Sequence, residues 1–85
     1  MSDKKHFSSI LNKVIVTKEG KRLGRVKDIT FETRTGELLQ LVLSEPSAYI
    51  NQLGLERNDQ KEAMIPFSTV IALGDFVVIS EEDLA

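Results

Sequence analysis

The residues able to perform acid–base or nucleophilic chemistry are few and scattered along the chain. There is one histidine, His6, and there is no cysteine. A serine nucleophile needs a nearby base to take its proton, and His6 lies close to a terminus, where chains are usually loosely held. Glu81, Glu82 and Asp83 are adjacent, but a metal site built on them would lack a rigid frame. The sequence therefore argues against an enzyme and predicts no catalytic residue, no cofactor and no metal site.

A second set of chemically active residues lies in the sequence GKRLGRVK, at residues 20–27. A common phosphate-binding loop has Gly-Lys-Ser or Gly-Lys-Thr before a helix, whereas here Gly-Lys-Arg lies between two predicted strands. The cations Arg22, Arg25 and Lys27 could neutralise nucleic-acid phosphates. However, the chain is acidic overall, with a net charge of −2, and Phe31, the nearest aromatic residue, lies on the apolar side of its predicted strand, away from bases that would stack. Nucleic acid is therefore the less favoured partner.

Charge is distributed unevenly along the chain. Residues 1–34 carry nine Lys and Arg against four acids, a net of +5, and residues 35–85 carry two against nine, a net of −7. Such polarity can steer an acidic partner to one end of the molecule or favour head-to-tail self-association. Alternatively, the two halves interleave in one small fold and their charges mix.

The length of 85 residues predicts a single domain over residues 1–85, with a core from about residue 9 to residue 80. So small a core is marginal, and without cysteine no disulfide can reinforce it. Self-association is the remaining common reinforcement, which favours a homodimer or a polymer. No apolar run approaches the roughly 20 residues that a membrane helix needs, and no targeting segment is visible. The sequence predicts a cytoplasmic protein without membrane insertion.

Short β-strands alternate with turns along most of the sequence. Strands are predicted at residues 14–17, 22–33, 38–43, 63–67 and 76–80, and turns at 18–21, 34–37, 68–70 and 72–75. The apolar positions change parity between Leu23 and Ile29, which indicates a β-bulge or a sharp coil with Gly24 as the bend. Pro66 lacks an amide donor and places its strand at an edge of the sheet. This pattern predicts an all-β fold, a small antiparallel barrel of five to six short strands.

Residues 44–62 interrupt the strand pattern and form one long loop or a short helix closed by Gly54. Four apolar side chains in this segment are candidates for protein contacts: Tyr49, Ile50, Leu53 and Leu55. The alternative is that they fold back as a lid over the mouth of the barrel. The basic hairpin residues Arg22, Arg25 and Lys27 form the second candidate surface.

Three motifs, taken in order, resemble the PRC-barrel family, which is named for the photosynthetic reaction-centre H subunit and shared with the ribosome-maturation factor RimM. They are GKRLGRVKDI at 20–29, ETRTGELLQLVL at 32–43 and MIPFSTVIALGDFVVI at 64–79. The matching positions are Gly20, Lys21, Leu23, Gly24, Val26 and Asp28, then Gly36 and Leu38 to Leu43, then Ile65, Pro66, Phe67, Val70, Gly74, Asp75 and Phe76 to Ile79. The resemblance covers about residues 9–80 and leaves loop 44–62 without a strong family signature.

The resemblance implies a small β-barrel that acts as a protein-interaction module without catalytic residues. The chain looks like the stand-alone archaeal members, some of which are similar to cell-division proteins that bind SepF, the membrane anchor of the FtsZ ring. It thus implies a SepF-like protein partner and recruitment to the division site. The alternative is a RimM-like adaptor in ribosome maturation or RNA processing, which would bind a ribosomal protein or RNA through the basic hairpin.

Overall fold

The computed structural model describes residues 9–84, so His6 lies outside the described residues. Six strands form one sheet. They are β1 (Val14–Thr17), β2 (Arg22–Phe31), β3 (Leu38–Ser44), β4 (Met64–Pro66), β5 (Val70–Leu73) and β6 (Phe76–Ile79). Short 3₁₀ helices occur at Ala48–Gln52, Phe67–Thr69 and Glu81–Leu84. The all-β fold predicted from the sequence is confirmed, and none of the helices within residues 9–84 is long and apolar enough to cross a membrane.

The strands lie side by side in the order β4-β3-β2-β1-β6-β5, which leaves β4 and β5 at the two edges. Neighbouring strands are antiparallel, as predicted, except that β1 and β6 run parallel, with Val14 opposite Phe76 and Thr17 opposite Ile79. A parallel pair needs a long connection between its strands. Here the connection from β1 to β6 contains four strands, β2 to β5.

Strand β2 is long and carries two irregularities that let the sheet curl. Opposite β1, Ile15 pairs with Gly24 and Val16 with Arg22, so Leu23 is the extra residue of a bulge. Opposite β3, Val26 pairs with Leu43 and Asp28 with Val42, so a second bulge lies at Lys27. A bulge changes which residues share a face. The bulge predicted near Gly24 is confirmed, and the one at Lys27 was not predicted.

The curled sheet encloses one core of aliphatic side chains. Its buried members are Ile10, Ile15, Leu23, Val26, Leu41, Leu43, Ile50, Ala63, Ile65, Val77 and Ile79. Burial of one such large aliphatic side chain stabilises the fold by about 1.5–3 kcal/mol relative to its exposure. Every strand contributes buried side chains to the core except the edge strand β5. Its Val70 is partly buried and packs against the core.

The segment after Pro66 differs from the sequence-based interpretation. Turns were predicted at residues 68–70 and 72–75, whereas residues 70–73 form the edge strand β5. The reversal begins only at Gly74, whose amide donates to the Phe76 carbonyl at 3.0 Å. The glycine and aspartate signal a turn correctly, but the apolar residues before them belong to a strand and not to the turn.

Candidate interaction surfaces

The loop at residues 44–62 folds back so that its apolar side chains pack against the core. Its 3₁₀ turn places Ile50 in the core, where only 3% of the residue is exposed. Tyr49, Leu53 and Leu55 are half-buried and pack against the same core. The Ser47 amide donates to the Leu23 carbonyl at 2.9 Å and fixes the entry of the loop. The lid alternative therefore describes this structure, and the expectation that Ile50 lies at the surface is corrected.

The loop is also joined to the basic hairpin by polar contacts. Arg22 Nη1 donates to the Glu45 carbonyl at 3.1 Å, and Arg25 Nε lies 3.6 Å from Glu45 Oε1. Lys27 forms an ion pair with Glu62. The two candidate sites predicted separately from the sequence therefore adjoin each other. We term this combined region the loop–hairpin surface; it comprises Lys21, Arg22, Arg25, Lys27, Glu45, Tyr49 and Glu62.

Tyr49 connects three segments of the chain at this surface. Its hydroxyl donates to Glu81 Oε2 at 2.7 Å and accepts from Lys21 Nζ at 3.2 Å. The Lys21 ammonium also lies 4.3 Å from the centroid of the Tyr49 ring, a cation–π distance. The hydrogen bond to Tyr49 is the main cause that raises the pKa of Lys21. The cluster ties the 3₁₀ turn at Glu81–Leu84 to the hairpin.

The uneven charge along the sequence is mixed in the folded protein. Basic residues of the first 34 positions pair with acids from the rest of the chain, as in Lys18–Glu82 at 3.3 Å. Such exposed pairs each contribute about 0–1 kcal/mol, so they orient segments more than they stabilise the fold. Phe31 was expected on the covered side of β2, but it is 39% exposed, at the opposite end of the strand from Arg22.

The contacts of the Glu62 carboxylate with Asn58 and Lys27 should make the folded protein less stable as the pH becomes acidic. Hydrogen bonds from the Asn58 amide and from Lys27 lower the pKa of Glu62 below its ordinary value. A carboxyl with a lowered folded-state pKa stabilises the protein above its unfolded pKa, and this contribution is lost as the pH falls through the folded value. We therefore expect the Glu62→Gln variant to lose less stability on acidification than the wild-type protein does.

Urea unfolding followed by circular dichroism over about pH 3–7 measures this difference. The control is Glu56→Gln, an exposed acid on the same loop. Parallel stability curves for the wild type and the Glu62→Gln variant would contradict the assignment.

A third surface was missed from the sequence because its strand was divided between two predicted turns. On β5 and at the start of β6, three large apolar side chains are about half exposed: Ile71 at 52%, Leu73 at 51% and Phe76 at 53%. We term these three residues the edge patch. The signal present in the sequence was the pair of apolar runs VIAL and FVVI on either side of Gly74 and Asp75.

The two edges of the sheet differ in how far other parts of the chain cover them. At β4, Pro66 removes one backbone donor, and the loop covers the strand, since the Met64 amide donates to the Glu56 carbonyl at 2.9 Å. An isolated bridge between Arg57 and Ala63 continues this cover. At β5, by contrast, Ile71, Ala72 and Leu73 are all exposed. The edge patch therefore lies on the open edge.

Comparisons with known proteins agree with the described fold. The model of the PRC-barrel domain matches residues 2–84. A protein of Methanocaldococcus jannaschii that is named only as uncharacterized is 32% identical over 75 residues, which cover 88% of this chain and 80% of that relative. The family match spans all six strands, the loop at residues 44–62 and the edge patch. The chain belongs to the PRC-barrel domain family.

Proposed function

We propose that this protein is a non-enzymatic interaction module that self-associates and acts as a cytoplasmic adaptor in archaeal cell division, where it binds the FtsZ anchor SepF. The observation that carries an interaction role is the edge patch, where Ile71, Leu73 and Phe76 are each about half exposed. Large apolar side chains clustered at a surface mark sites of protein contact. The division role is supported by the resemblance to archaeal members of the family, and the relative from Methanocaldococcus jannaschii supports only the archaeal setting.

The SepF-type partner binds at the loop–hairpin surface in this proposal. The surface presents Arg22 and Arg25 beside the half-buried Tyr49, and Arg and Tyr are the residue types that most often dominate the energy of protein interfaces. Its three hairpin cations lie against Glu45 and Glu62, so the surface carries mixed charge and fits a partner segment that is itself of mixed charge. Leu53 and Leu55, which are half-buried, supply apolar margins to this site.

The alternative role is a RimM-like adaptor that binds a ribosomal protein or RNA through the same hairpin. The contacts of Arg22 and Arg25 with Glu45, and of Lys27 with Glu62, weaken this alternative. A phosphate backbone would have to compete with these carboxylates and would be repelled by them. A protein partner with its own mixture of charged and apolar groups suits the surface better.

Titration of the purified SepF-type anchor of the same organism with this protein tests the proposal. We expect the double variant Arg25→Glu, Lys27→Glu to raise the dissociation constant by about tenfold or more, because it removes both cations from a surface whose mixed charge the partner matches. The matched control is Arg34→Glu, a charge reversal in the exposed turn after β2, and it should bind as the wild type does.

The competing role predicts a different result in the same assay. If the chain binds RNA in place of the anchor, with an affinity that falls steeply as salt is added, the adaptor proposal is overturned. The double variant could instead bind the anchor as the wild type does, while Leu53→Ala weakens that binding. This result would place the partner site on the loop and not on the hairpin.

A further inference from the structure

Within residues 9–84, strand β5 is paired on one side only. It bonds to β6, with Val70 opposite Ile79 and Leu73 opposite Val77, and its other side is an edge of the sheet. An open strand edge presents backbone donors and acceptors that can pair with another strand. Proteins that avoid such pairing place a charge or a proline on the edge, or cover it.

The open edge carries none of these protections within the strand. The residues of β5 are Val, Ile, Ala and Leu, without a charge or a proline. The opposite edge, β4, ends at Pro66 and lies under the loop. A β-bulge at Ile71 shortens the regular ladder of β5. Apolar contact must therefore supply more of any affinity at this edge than backbone hydrogen bonds do.

A second copy of the chain fits this edge by its own symmetry. When two β5 strands run antiparallel about a two-fold axis, Val70 lies opposite Leu73 of the other copy and Ile71 opposite Ala72. All the pairs within the strand are apolar, so no like charges meet there. A two-fold interface uses the same patch on both copies and must be self-complementary in this way.

The two strands that follow β5 in the sheet, β6 and β1, carry further apolar side chains beside the edge patch. The parallel register places Phe76 next to Val14 and Val78 next to Val16. These three valines are half-buried and lie outside the barrel core. The apolar surface at this side of the sheet therefore extends beyond β5 itself.

We propose that two copies of this chain associate through β5, pairing antiparallel about a two-fold axis so that one sheet continues across both copies. The inference rests on the self-association included in the proposed function and names its surface. It leaves the loop–hairpin surface accessible on both copies, so one dimer presents two partner sites.

The test compares Ile71→Lys with Leu39→Lys by sedimentation equilibrium over a range of protein concentrations. Both replace a large exposed apolar residue, at 52% and 44% exposure, with a cation. The Ile71→Lys change places two ammonium groups within the paired edges, and we expect the dimer dissociation constant to rise by about a hundredfold or more. The Leu39→Lys variant should dimerise as the wild type does.

Hydrogen exchange on the wild-type protein gives a second readout that needs no variant. On dilution below the dissociation constant, amides of β5 should lose protection while those of β4 keep theirs. If the Ile71→Lys variant dimerises as the wild type does, or if protection of β5 in the wild type does not change on dilution, the assignment of the surface is overturned. Self-association itself would then still stand. A wild-type protein that stays monomeric at all concentrations overturns both, whereas SepF binding is scored separately by titration.

Discussion

Replacing Ile50 with alanine should lower the free energy of unfolding by about 2–5 kcal/mol, because the change deletes buried methyl and methylene groups and leaves a cavity. Ile50 is 3% exposed and belongs to the barrel core, although it lies in a loop and not in a strand. Ile50 is the buried residue of its 3₁₀ turn, so the substitution removes the side chain that packs this turn into the core. The stability of the barrel therefore depends on its lid.

Urea unfolding at one fixed protein concentration measures this loss, since self-association would otherwise change the apparent stability. Leu39→Ala is the matched control because Leu39 is 44% exposed on strand β3, and we expect it to fall within about 0.5 kcal/mol of the wild type. Equal losses in both variants would show that the lid is not part of the folding core.

Replacing Gly24 with alanine should cost about 1–3 kcal/mol, as expected when an atom is forced into a packed site. A Cβ atom at Gly24 would lie 2.8 Å from the Ser44 carbonyl oxygen and 3.2 Å from Leu43 Cδ2. The nearer neighbour is backbone of strand β3, which cannot move without disturbing its pairing with β2. The close approach of β2 to β3 therefore leaves no room for a side chain at this position.

Gly74→Ala is the control for this change. Gly74 lies in the turn after β5, and a Cβ there would meet no atom within 4 Å. The stability of the Gly74→Ala variant should stay within about 0.5 kcal/mol of that of the wild type or rise slightly, because alanine restricts the conformations of the unfolded chain. If thermal unfolding gave both glycine variants the same midpoint, close packing at Gly24 would not be the reason for the glycine.

The strands that follow strong local patterns could be predicted from the sequence. The β-branched run at Val14–Thr17 and the leucine-rich run from Leu38 read as strands because their side chains favour extended backbone. The parity change after Leu23 revealed a bulge, since a bulge alters the side-chain period within one strand. The hairpin and the loop that carry the candidate residues lie in contact, and no local pattern predicted that proximity.

Features that depend on distant contacts could not be predicted in this way. The inward direction of Ile50 arises because the barrel mouth needs cover, and a short apolar segment in a loop reads equally as a contact surface. Strand β5 was hidden because Gly74 and Asp75 dominate the local turn signal. The parallel pairing of β1 with β6 is a long-range choice that no local period encodes.

That parallel pairing also sets the order in which the protein can form during synthesis. Strand β1 is the first described strand to be made and β6 is the last, yet they lie next to each other in the middle of the sheet. A nascent chain therefore carries β1 with one side unpaired until residues 76–79 have left the ribosome. Contacts so distant in sequence slow folding, and exposed strand edges invite aggregation meanwhile. The growing chain is most vulnerable just before its final strand appears.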